Sequence, residues 1–141
     1  MSQIDAQDLA ARYAAVWNES DPGLRRRAVE ALWAPDGVHL LQPPEEMRAE
    51  AARLGFAGTT LVARGHAELE ARVTRAHEEF VATGEYVFRA APDSAAALED
   101  VVTFRWESVL AATGAVTGGG LEFVTVDEDG RISRDCQFPA L

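Results

Sequence analysis

VVTFRWESVL, residues 101–110, carries the two-residue period of a β-strand. Val102, Phe104, Trp106 and Leu110 fall on one side of the pleat, and Thr103, Arg105 and Glu107 on the other, with Val101 and Val109 at its ends. The period continues outward in both directions. Residues 85–91, 98–110, 115–126 and 131–138 read as strands, joined by the turn-rich segments APDSA, AATGA and DEDG. Joints this short make neighbouring strands antiparallel.

Upstream the period changes to that of helices. Ile4, Leu9, Tyr13, Val16 and Trp17 recur near helical spacing. In NESDPGLRR, Ser20 or Asp21 can cap a second helix and Pro22 suits its first position, with Leu24, Ala28, Leu32 and Trp33 as its inner stripe. APDG at 34–37 reads as a turn into a short strand, GVHLLQ. PPEEMRAEAARLGF predicts a third helix, with Glu45 and Glu46 at the positive end of its dipole and Gly55 at its C-cap. Leu69, Val73, Ala76 and Phe80 form the apolar stripe of a fourth helix that ends at Gly84. Helices segregated from an antiparallel sheet specify an α+β fold.

The chain of 141 residues predicts one domain, 1–141, with a core of useful size. Its net charge of −10 argues against nucleic acid as a partner, because Arg25-Arg26-Arg27 is its only basic run. The same acidity disfavours an anionic membrane surface. The single cysteine, Cys136, rules out an intrachain disulfide and reads as a small buried hydrophobe. MSQIDAQDLAARY has neither the basic start nor the apolar run of a signal peptide, and no apolar stretch approaches membrane-spanning length. The expected location is the cytoplasm.

This element order, with YAAVWNESDPGLRRRAVEALWAPDGVHL and the closing DGRISRDCQF, resembles the nuclear-transport-factor-2-like superfamily, and its SnoaL-like branch in particular. The resemblance implies a curved antiparallel sheet wrapped around helices, a cone with a pocket at its mouth, and pairing into homodimers through the outer sheet face. Locally the chain is also similar to the limonene epoxide hydrolases. Arg105-Trp106-Glu107 looks like their Arg-x-Asp step, with Glu for Asp, and Arg134-Asp135 like their Arg-Asp step. VHLLQPP resembles their strand into Pro-Pro, with His39 where they carry Asn and Gly37 where they carry Tyr.

The resemblance makes Asp135, Arg105, Glu107 and His39 the catalytic candidates. A guanidinium between two carboxylates keeps one ionised while burial protonates the other, so that a base and an acid coexist. Asp135 would then take a proton, Glu107 deliver one and Arg105 position both. Alternation alone does not tell inside from outside. Arg105 and Glu107 are either a solvated ladder or a polar patch within the pocket, and the catalytic reading requires them inside, with Phe104 and Trp106 facing a partner subunit. Tyr13 and Trp17, one helical turn apart, and Gln137, on the face of Asp135, are the ligand-binding candidates. His66 precedes a helix as a capping candidate, and three scattered histidines give no metal motif. TGGGLEF at 117–123 lacks the Lys-Ser/Thr of a phosphate loop, and its glycines suit a bulge or bend. The expected function is a small-molecule enzyme using carboxylate/arginine acid–base chemistry in an apolar pocket, of hydrolase, isomerase or cyclase type, with an apolar ligand and no cofactor or metal. The alternative is a non-catalytic binding or dimeric accessory module of the same fold.

Overall fold

A computed structural model describes residues 4–139. Helix α1 (Ala6–Asn18) starts where the Asp5 carboxylate accepts from the Asp8 amide at 3.0 Å. Helix α2 (Pro22–Leu32) is capped in the same way by Asp21, which accepts from Leu24 N–H at 2.9 Å, with Pro22 opening the helix. Strand β1 (Trp33–Leu41) follows directly, so the segment expected as a turn is an irregular strand. Then come α3 (Glu45–Arg53), β2 (Leu61–Arg64), α4 (Gly65–Ala76) with a π-helical turn at His77–Val81, and β3 (Tyr86–Ala90). Strands β4 (Ala96–Leu98), β5 (Val101–Leu110), β6 (Val116–Val126) and β7 (Ile132–Pro139) complete the order. β2 and β4 are too short to carry a readable period and were not expected.

The fold is α+β. The strands form one curved, unclosed sheet in the order β2-β1-β7-β6-β5-β3, with β4 also on β5. All pairings are antiparallel except β1 with β7, which run parallel. Register shifts interrupt β1–β7, β5–β6 and β6–β7, the irregularities that bend a sheet. Helix α1 lies against the concave side, contacting β3, β5 and α4. Leu9, Tyr13 and Val16 of α1 meet Leu32, Trp33, Leu69, Val73, Val102, Phe104, Val124 and Ile132 in the core. Phe104 is fully buried there rather than at a subunit interface. No described helix is long and apolar enough to cross a membrane.

Candidate active site

The inner face of β5 carries Val102, Phe104 and Trp106, so Arg105 and Glu107 point away from the core. Of the two alternatives left open they form the solvated ladder, and the sidedness that the catalytic reading required is not met. Arg105 is exposed, and Glu107 accepts from Arg89 Nε at 2.9 Å across the strand pair on the outer surface. Trp106, which the catalytic reading required to face a partner subunit, lines the cavity instead. The physical reason is ordinary: the larger apolar parity of the strand took the core, and the charges formed a surface pair of little energetic weight.

Asp135 reaches the interior by a different route. Strict alternation groups Ile132 with Arg134, Cys136 and Phe138. The register shift at the start of β7 breaks that alternation, so Ile132 and Asp135 are both buried. Cys136 stays on the outer face, half-buried and free. In the β1–β7 register His39 lies opposite Asp135. In the β6–β7 register Val124 lies opposite Asp135, and Glu122 opposite Gln137. The inward parity of these three strands therefore delivers His39, Glu122, Asp135 and Gln137 to one spot beneath Tyr13 of α1.

His39, Glu122 and Asp135 are each at most 1% exposed. The Tyr13 hydroxyl donates to Glu122 Oε1 at 2.5 Å. Glu122 Oε2 and both Asp135 oxygens have no hydrogen-bond partner. Tyr13, Glu122 and Trp33 nevertheless sit near enough to influence the Asp135 carboxyl. Burial, and then the charge of Asp135, hold Glu122 well above the usual carboxylate range. Burial also raises Asp135, opposed first by the nearby His39. Two acids this close in a dry site retain one shared proton rather than ionise together. Burial, with the charges of Asp135 and Glu122, likewise pushes the Tyr13 phenol well up.

His39 is held from both sides. Arg72 Nη1 lies 3.0 Å from Nδ1, and Gln137 Oε1 lies 2.6 Å from Nε2. A guanidinium only donates, so Nδ1 must accept, and the ring proton of the neutral imidazole resides on Nε2. That N–H faces Gln137, with Asp135 Oδ2 at 4.0 Å. Burial lowers the proton affinity of His39 and favours this neutral form.

Above this cluster opens a cavity of about 580 Å³, of the size that takes a small organic ligand. Tyr13, His39 and Gln137 form its floor, and Trp17, Phe80, Tyr86, Phe88 and Trp106 are among its walls. Phe80 meets Phe88 edge-on at 6.3 Å, and Phe88 meets Trp106 at 5.8 Å. The π-helical turn turns Phe80 off the expected core stripe and onto this wall. Gly120 makes room for Trp106: a Cβ there would lie 2.5 Å from the indole. A shallower depression of about 410 Å³ on α4 holds no comparable cluster of buried polar groups.

The donor atoms of His39, Glu122 and Asp135 lie within 4.8 Å of one another. Bonds of about 2.1 Å to a transition metal would require these side chains to close inward. His39 Nε2 would also have to leave Gln137. The sequence expectation on metals weighed histidine spacing alone and did not consider one His with two carboxylates.

Of the residues singled out from sequence, the structure brings Asp135, His39, Tyr13, Trp17 and Gln137 together and leaves out Arg105 and Glu107. Arg72 and Trp106, which line the cavity, and Glu122, buried behind it, were missed. The parity Gly120, Glu122, Val124, Val126 put an acid on an apolar face, and Arg72 adjoins the Leu69/Val73 stripe. Both signals were present. His66 donates from Nε2 to the Trp33 carbonyl at 2.8 Å, and His77 from Nδ1 to the Trp17 carbonyl at 3.0 Å.

No protein-family model matches this chain, and no curated protein matches it. Solved structures do. A SnoaL-like family protein from Agrobacterium tumefaciens, proposed to be an isomerase, is 22% identical over 95% of this chain and 96% of its own, with a TM-score of 0.73. A proposed polyketide cyclase from Sinorhizobium meliloti is 14% identical over 97% of this chain and 99% of its own, with a TM-score of 0.57. A SnoaL-like protein of unknown function from Burkholderia thailandensis is 17% identical over 96% and 98%, with a TM-score of 0.57. The fold is therefore the one seen in SnoaL-like and nuclear-transport-factor-2-like proteins. At these identities the likeness is one of fold.

Proposed function

We propose that this chain is a small-molecule enzyme of isomerase or cyclase type, which moves a proton on an apolar carbonyl compound. One observation carries the reading: two fully buried carboxylates, Glu122 and Asp135, with three unpaired oxygens, lie behind the floor of an aromatic cavity. Unpaired buried acids cost stability. Perturbed carboxylates beside a pocket are the usual mark of a site that transfers protons. The proposed isomerase and cyclase of the same fold add coarse support.

In the proposed step, the Tyr13 hydroxyl is the conduit. Its oxygen takes a proton from carbon next to the substrate carbonyl while its own proton passes along its hydrogen bond to Glu122 Oε1, and the Glu122–Asp135 pair, which began with one proton between them, ends with two. Charge develops on the substrate oxygen, which displaces Gln137 and accepts from His39 Nε2–H. A neutral imidazole is a suitable donor there, and the Arg72 contact fixes the tautomer it needs. Returning the proton to a different carbon completes an isomerisation. Attack of the enolate carbon on a second carbonyl closes a ring.

The test is deuterium incorporation from D₂O, followed by turnover, with a panel of cyclic enones and β-keto esters. The parent should process at least one compound, and Asp135→Asn and Tyr13→Phe should each slow it by about 10²–10⁴-fold. A parent that binds the panel without exchange, or an Asp135→Asn variant as fast as the parent, removes the proposal. One observation favours a binding module instead: neither acid itself lines the cavity. Ligand affinity without exchange, unchanged in Asp135→Asn, is the result that reading requires.

A further inference from the structure

Among the described residues, the cavity wall holds one cation that no carboxylate contacts directly. Arg72 projects from α4 into the pocket wall. Among the described residues its guanidinium has no carboxylate within ion-pair distance, and Glu68 and Asp135 act on it only from farther away. Its contacts all use one nitrogen: Nη1 reaches His39 Nδ1 at 3.0 Å, the His39 carbonyl at 3.3 Å and the Leu61 carbonyl at 3.1 Å. Nε and Nη2 have no hydrogen-bond partner among the described residues. These two donors form the edge of the guanidinium that suits a carboxylate in bidentate geometry.

We propose that Arg72 is the anion anchor of this pocket, and that its substrate is a hydrophobic carboxylic acid, seated with its carboxylate on Nε and Nη2 and its apolar body against Trp17, Phe88 and Trp106. The inference rests on the proposed small-molecule site and names the class of molecule that fills it. Several features favour a single carboxylate over a phosphate. Arg72 is the one Lys or Arg among the cavity's lining residues, so a dianion would remain half-compensated. The chain as a whole carries −10, which opposes any ligand of high negative charge. The remaining walls are mostly apolar and include Trp17, Phe80, Tyr86, Phe88 and Trp106, which suits a flat or polycyclic body. Binding also leaves Nη1 on His39, so the acid docks without disturbing the imidazole tautomer.

The experiment compares two fluorescent probes of equal body, 1-pyrenebutyrate and 1-pyrenebutanol, by anisotropy titration at pH 7.5. The parent should bind the acid at least tenfold more tightly than the alcohol. Arg72→Gln, checked for folding by its melting transition, should erase that preference and leave the alcohol within about twofold of its parent affinity. Arg72→Lys should retain only part of the preference, because it keeps the charge and loses the fork. Equal affinity of the two probes for the parent overturns the proposal, as does binding of neither. Arg72→Gln weakening both probes alike also overturns it, since that marks a structural role. The parental comparison stands even where a variant fails to fold. Because no turnover enters the readout, a preference for the acid in a protein that catalyses nothing keeps Arg72 as anchor and removes the enzymatic reading alone.

Discussion

At the scale of single residues, Glu122 is the most exposed to test. Its folded-state proton affinity is raised by burial and by Asp135, so the folded protein holds a proton that the unfolded chain releases. Its contribution to stability is complete at pH below the ordinary carboxylate range and is lost as pH rises through its elevated value. His39 acts in the opposite sense: its affinity is lowered, so its contribution is present above about pH 6.5 and is lost as pH falls below that. Glu122→Gln keeps an acceptor for Tyr13 and removes the charge. It should raise the melting temperature above that of the parent at pH 9, with a smaller gain at pH 5, when thermal melts are run across that range. A larger gain at pH 5 than at pH 9 contradicts the shared-proton picture. Asp135 and His39 were legible as candidates through the resemblance of Arg134-Asp135 and VHLLQPP to the epoxide hydrolases. The side taken by Arg105 and Glu107 stayed open because a parity holding one Arg and one Glu looks the same whether it meets water or a pocket.

At the scale of elements, the site depends on irregularities. The shift in β7 lets Ile132 and Asp135 both face inward, and the π-helical turn after α4 carries Phe80 to the cavity wall. Neither is visible to a reading that assumes unbroken period, and this is why the apolar set Ile132, Cys136 and Phe138 looked like the buried face. The strand pair β5–β6 offers a direct test. Trp106 sits opposite Gly120, and the indole occupies the space a side chain at 120 would take. Gly120→Ala must push the ring toward the cavity. The variant should lose about 1–3 kcal/mol of stability, as overpacked sites do. Its affinity for a pocket-filling probe should fall more than tenfold, measured by chemical denaturation and titration. Unchanged affinity means that Trp106 does not bound the ligand space.

At the scale of the whole molecule, the α+β architecture was legible from the change of period near residue 85 and from turn chemistry. The parallel neighbour β1–β7 was not, because pairing between distant strands leaves no local trace. The outer sheet face carries Phe123 and Phe138, 41% and 40% exposed and stacked edge-on at 5.9 Å. They occupy the position expected of Phe104 and Trp106 in a subunit contact. We propose that this face pairs two copies of the chain. Sedimentation should show a dimer at micromolar concentration, and Phe123→Asp should shift it to monomer with its melting temperature nearly unchanged. A monomeric parent removes the proposal. The parallel pairing of β1 with β7 has its own outcome during synthesis. His39 and Gln137 stand 98 positions apart, so the imidazole emerges from the ribosome long before its amide and carboxylate neighbours exist. A nascent chain halted before β7 lacks both Asp135 and Gln137. On the proposed function, the buried cluster is complete only once that late strand has been translated and has docked.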